Sequence, residues 1–106
     1  MSKNSEVEDA FLLQIRAVGL PTPRREAKII EGRKFRFDFA WDAQKLAVEI
    51  QGSTWRPNTG HTSGTGIARD YEKHNLAVLA GWKTLFFTTQ GVRDGSAITF
   101  LEKFFK

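Results

Sequence analysis

A single α/β domain with a sheet of mixed direction is the class this sequence predicts, and three features predict it. Segments 34–41 (KFRFDFAW) and 46–51 (LAVEIQ) alternate at period two, with Phe35, Phe37 and Phe39 set against Arg36, Asp38 and Ala40, then Leu46, Val48 and Ile50 against Ala47, Glu49 and Gln51. The span 67–80 carries Ile67, Ala68, Tyr71, Val78 and Leu79 at helical spacing, and the β-rich run WKTLFFT (82–88) follows it. A hairpin beside a strand–helix–strand crossover brings antiparallel and parallel neighbours into one sheet.

Taken in order, the first element is a helix opened by Ser5, with Glu8 three residues on as its capping-box partner. Val7, Ala10, Phe11, Ile15 and Val18 share one face of it, Leu12 and Leu13 widen the stripe, and Gln14 interrupts it before Gly19 and Pro21 end the helix. A short strand is expected over 26–31, a turn at Gly32, then the two alternating strands joined by the polar turn Asp42 to Lys45. Residues 52–66 (GSTWRPNTGHTSGTG) have no hydrophobic period and form a loop. Gly81 ends the second helix, strand 82–88 follows, and a closing helix runs from Ser96, giving the order αβββαβα. Trp41, Trp82, Phe86 and Phe87 belong to the core, and Asn75, on the apolar side of its helix, is expected to be a buried, hydrogen-bonded anchor.

Composition bounds the function. At 106 residues and 41% hydrophobic, with nine Phe and three Trp, the chain can bury one core, so residues 1–106 read as one domain. The absence of cysteine removes disulfide scaffolds, thiolate zinc sites and thiol nucleophiles, and leaves His61 and His74 as the imidazole ligands. No apolar run is long enough for a membrane span and the start MSKNSEVEDA is too polar for a secretory signal, so no membrane partner and a cytoplasmic location are expected. A net charge of +4 suits a polyanionic partner without requiring one.

Pairing Trp41 with Leu46 across the turn sets Asp38 opposite Glu49 on one face. Opposed like charges destabilise a sheet, so the pair is either solvated or compensated by a cation. Carboxylate, carbonyl and water oxygens suit Mg²⁺. Outward-facing charges on a half-exposed sheet are the ordinary alternative.

The strings RFDFAW and LAVEIQG, followed by a helix carrying RDYEKHNLAVLAGW before a β run, resemble the PD-(D/E)XK nuclease superfamily. Within it the chain is most similar to the small stand-alone branch that includes very-short-patch-repair endonucleases and Holliday junction resolvases, a branch also met in phage genomes. The resemblance runs from Glu8 to about Thr88 and implies a restriction-endonuclease-like domain with helices flanking the sheet. It places the motif's acidic positions on Asp38 and Glu49 and the first-helix glutamate on Glu8; with the Ile50 carbonyl these would hold Mg²⁺, for which Mn²⁺ substitutes. The motif's lysine should stand two residues after Glu49, where this chain has Gln51, which can orient a water but not take up a proton. Lys73 on the following helix is the preferred substitute, with a salt-bridged surface lysine as the plain alternative.

The activity so implied is Mg²⁺-dependent hydrolysis of DNA phosphodiester bonds, in branched or mismatched DNA of repair or recombination, since no separate sequence-reading domain is present. Gln51 motivates a second reading, a catalytically inactive nuclease-fold module that binds DNA or a partner protein. A third is a structural protein whose acidic pair is incidental. In the loop, Trp55 could stack on a base, Arg56 neutralise a phosphate, and His61 act as general acid or phosphate ligand; each also has an ordinary structural or solvated role. Arg24, Arg25, Arg33, Lys34 and Arg36 form the most basic stretch, suited to a DNA backbone passing Asp38 or simply to solubility. A phosphate-binding P-loop is excluded, because GHTSGTG lacks Gly-Lys-Ser/Thr. A homodimer stays open, as a junction resolvase needs two active sites.

Overall fold

Residues 4–51 and 65–106 are described by the computed structural model, in the order α1 (Asn4–Ala17), β1 (Arg24–Ala27), β2 (Phe37–Trp41), β3 (Leu46–Gln51), α2 (Thr65–Leu79), β4 (Lys83–Thr88), α3 (Thr89–Arg93) and α4 (Ser96–Phe105). The strands form one sheet in the order β1-β2-β3-β4, antiparallel except for the parallel β3/β4 pair that the α2 crossover joins. In the hairpin Trp41 pairs with Leu46 and Phe39 with Val48, the register expected from the alternation. No helix among the described residues is long and apolar enough to cross a membrane.

The sheet is covered on both faces. On one, Val7, Phe11 and Ile15 of α1 pack with Val92, Ala97 and Leu101 of α3 and α4 against Phe39, Trp41, Leu46, Val48 and Ile50. Phe11 is fully buried and meets Phe39 and Phe87 edge-on at 5.7 and 5.8 Å, the favoured geometry for ring pairs. On the other, Ala77 of α2 and Trp82 close over Ala27, Ile30, Phe37, Ala40 and Ala47. Gln14, the polar residue in the α1 stripe, donates to the Val92 carbonyl at 3.1 Å and so ties α1 to α3.

Several expectations need correction. The first strand is Arg24–Ala27, not 26–31, and the second begins at Phe37, not 34. The alternation fails there: Phe37 and Phe39 enter different core clusters, and on the neighbouring strand Glu26 takes the left-handed region (φ 50) between the pairs Arg25↔Phe39 and Ala27↔Phe37. Among the described residues the helix runs from Asn4, and the Glu8 carboxylate pairs with Arg25. Trp41 and Trp82 are buried as expected, but Phe86, on the edge strand β4, is 41% exposed, with the His74 ring of α2 edge-on to it at 5.8 Å. Asn75 is exposed: the narrow contact face of α2 runs through Lys73, Leu76 and Ala77. The short helix α3 was not expected. Its five residues show no period, and it is started by Thr88, whose hydroxyl accepts the Gly91 amide at 2.9 Å.

Candidate functional site

Asp38 lies one step past the Phe39↔Val48 pair, and its Oδ2 accepts the Ile50 amide at 2.7 Å, so the side chain is held against β3 where the ladder ends. Buried Glu8 reaches the same place from α1, and the left-handed turn at Glu26 brings a third carboxylate from β1. Oxygens of Glu8, Glu26 and Asp38 lie within 4.8 Å of one another. Arg25 holds Glu8 Oε1 at 3.3 Å and Asp9 at 3.2 Å, with its guanidinium 5.4 Å from the Phe39 ring centre.

Glu49 forms the second half. The Lys73 ammonium stands 3.1 Å from Glu49 Oε1 and 4.5 Å from the centre of the Phe37 ring, a cation–π contact. Oε1 is buried and has no well-angled hydrogen bond among the described residues, so the contact is ionic. Among the described residues, therefore, five carboxylates, Glu8, Asp9, Glu26, Asp38 and Glu49, share the neighbourhood of two cations, Arg25 and Lys73.

The electrostatics follow from that imbalance. Burial, and then the Asp38 charge, push the Glu8 carboxyl up to about 7 against the pull of Arg25. Burial and Asp38 likewise push Glu49 up to about 7, with Lys73 pulling down. Crowded hard-oxygen donors that resist ionisation fit a divalent cation, whose charge relieves the repulsion that raises them.

Of the expected metal ligands, Glu8 and Asp38 share the cluster, joined by Glu26; Glu49 is not one of those three and instead pairs with Lys73 while feeling the Asp38 charge, and the contact seen at Ile50 is its amide donating to Asp38. Gln51 is half-buried and lines a neighbouring cavity of about 410 Å³ with Asp70, Tyr71, His74 and Phe86. There the His74 Nδ1 is held 2.6 Å from the Thr84 hydroxyl. Arg36 is exposed on a separate groove. Trp55, Arg56 and His61 lie outside the described residues. Of the basic stretch, Arg24 is bound to Asp42 by two 2.9 Å hydrogen bonds, Arg25 to Glu8 and Asp9, and Arg33 to Glu72 at 2.8 Å. Glu26 was missed, because nothing in RREA marks one residue of a short edge strand for inversion.

No family model matches the chain, nor does any curated protein. Among solved structures it is similar to the homing endonuclease I-Bth0305I catalytic domain, with a TM-score of 0.67 and 13% identity over 92% of this chain and 89% of that one. At that identity the likeness establishes the fold: a small α/β domain with a four-stranded mixed sheet flanked by helices, shared with that catalytic domain.

Proposed function

We propose that this chain is a metal-dependent DNA endonuclease of the PD-(D/E)XK type, acting on branched or mismatched DNA in the cytoplasm. The observation that carries the reading is the convergence of Glu8, Glu26 and Asp38 within 4.8 Å, beside an ion pair of Glu49 and Lys73 on the same sheet. The nuclease-type fold supports it.

In this reading Glu8, Glu26 and Asp38 hold Mg²⁺ or Mn²⁺. When bound, the dication supplies Lewis-acid stabilisation of charge on the phosphate oxygens and acidifies water. The chain's own groups do the rest. Glu49, with its carboxyl raised to about 7, is suited to accept the proton of the attacking water near neutral pH. Lys73, steadied by Glu49 and the Phe37 ring, presents an ammonium to the developing negative charge and takes the part for which Gln51 is unequipped. Gln51 remains able to orient water through its amide, and Arg25 fixes the Glu8 carboxylate.

The test uses the purified chain with labelled linear duplex, single-stranded and four-way-junction DNA, in Mg²⁺, in Mn²⁺ and in chelator. Cutting that needs the metal and is lost in a folded Asp38→Asn variant is the expected result. Binding without cuts in either metal instead selects the inactive binding module that Gln51 alone would suggest.

A further inference from the structure

A second feature lies on the flank of α2, outside the carboxylate cluster. The turn at Gly32 and the chain leading into β2 face α2 across a groove of about 770 Å³, lined by Arg33, Lys34, Arg36, Arg69 and Glu72. Its cations are of two kinds. Arg33 is committed: its Nη2 lies 2.8 Å from Glu72 Oε2 and its guanidinium 4.8 Å from the Phe35 ring centre, which ties the turn to the helix and builds the groove wall. Lys34, Arg36 and Arg69 are exposed, and among the described residues none of them has an ion pair. The Glu72 carboxylate in the groove is already neutralised by Arg33.

The geometry points to this groove as the binding site for the phosphodiester backbone of DNA, with Lys34, Arg36 and Arg69 contacting phosphates and Arg33 shaping the wall. The assignment rests on the nuclease reading and extends it. Uncompensated cations around an open, polar cleft match a regularly spaced polyanion, and they offer little that would read a base edge. The groove also leads to the proposed chemistry: Arg36 precedes Phe37, the ring beneath Lys73, and Lys73 touches Glu49. Arg24 and Arg25, in contrast, are withdrawn by Asp42, Glu8 and Asp9.

The experiment measures affinity of the full chain for a short labelled duplex in chelator, by fluorescence anisotropy at several salt concentrations, with thermal melts confirming that each variant is folded. Each of Lys34→Ala, Arg36→Ala and Arg69→Ala is expected to flatten the slope of log K against log salt by about 0.9, the change for one lost phosphate contact on duplex DNA. Glu72→Gln releases Arg33 and should tighten binding and steepen the slope. Glu102→Gln makes the same change of charge on α4, across the sheet, and should leave the slope unaltered, as should Lys103→Ala. The proposal is overturned by wild-type protein that does not bind, by slopes unchanged in all three groove variants, by equal effects of Glu72→Gln and Glu102→Gln, or by equal flattening in Lys103→Ala. Metal-dependent cutting with groove variants that bind like wild type would refute the groove alone. Groove-dependent binding without cutting would refute the nuclease reading alone.

Discussion

Raising the pH of the metal-free protein should destabilise it. Glu8 and Glu49 ionise near 7 in the folded chain and near 4.5 when unfolded, so between those values the native state holds protons that the unfolded state has lost. Their stabilisation is complete below about pH 4.5 and is lost as pH rises through 7. A shift of this size corresponds to about 3 kcal/mol for either group alone. For a domain of this length the melting temperature should fall by on the order of 10 °C or more between pH 4.5 and 8. Asp42 and Asp94 have lowered values and act in the opposite sense, but in a separate window: their contribution is lost only as pH falls below 3.8. The assay is thermal denaturation by circular dichroism in chelator at constant ionic strength, repeated with Mg²⁺. Glu8→Gln should remove much of the pH dependence and raise stability at pH 8, and Mg²⁺ should recover stability at pH 8 in the wild type but less in the variant. A melting temperature that is flat or rising from pH 5 to 8 without metal would refute the reasoning.

Four further outcomes are expected. Asp38→Asn should reduce metal-dependent cleavage by at least about 10²-fold while keeping the fold, since an amide oxygen still accepts the Ile50 N–H. Lys73→Met should lower single-turnover cleavage by about 10²- to 10³-fold, and should raise the apparent pKa of the pH–rate profile, because Glu49 loses its counter-charge. Phe11→Ala, which empties the junction of α1 with Phe39 and Phe87, should cost about 3–5 kcal/mol in urea denaturation. In a Lys73→Met background, Gln51→Lys should restore part of the cleavage if an ammonium near Glu49 is what the chemistry needs; a folded but inert double variant would count against that role.

What the sequence made legible, it made legible through local periodicity. Two alternating strands around a four-residue turn suggest the pairing of Trp41 with Leu46, and the hairpin has that register through Phe39 and Val48; the expected continuation to Asp38 opposite Glu49 is not part of the ladder, and Asp38 instead accepts the Ile50 amide. The inversion at Glu26 was not legible, because a left-handed residue in a strand is imposed by tertiary context rather than by propensity. Nor was the sorting of the arginines: Arg24, Arg25 and Arg33 find carboxylates 16 to 39 positions away in sequence, so a basic stretch that reads as one surface is divided between ion pairs and a groove. Lys73 could be singled out only through the family resemblance. Helical spacing alone offered no reason to join it to Glu49.

The placement of Lys73 also bears on how the proposed nuclease site would tolerate glutamine where the resembled motif has lysine. A lysine side chain is long enough to lie along an aromatic ring and still deliver its charge at the far end. The Lys73 ammonium itself sits 4.5 Å from the centre of the Phe37 ring and 3.1 Å from Glu49, so it approaches Glu49 from α2 instead of from two residues along the same strand. The strand position is then freed, and Gln51 turns to the cavity it shares with Tyr71, His74 and Phe86. The electrostatic requirement at Glu49 constrains where a charge ends, not which element carries it. The buried Oε1, lacking a well-angled hydrogen bond and facing one ammonium, is the part of this sheet that a neutral residue at position 73 would leave uncompensated.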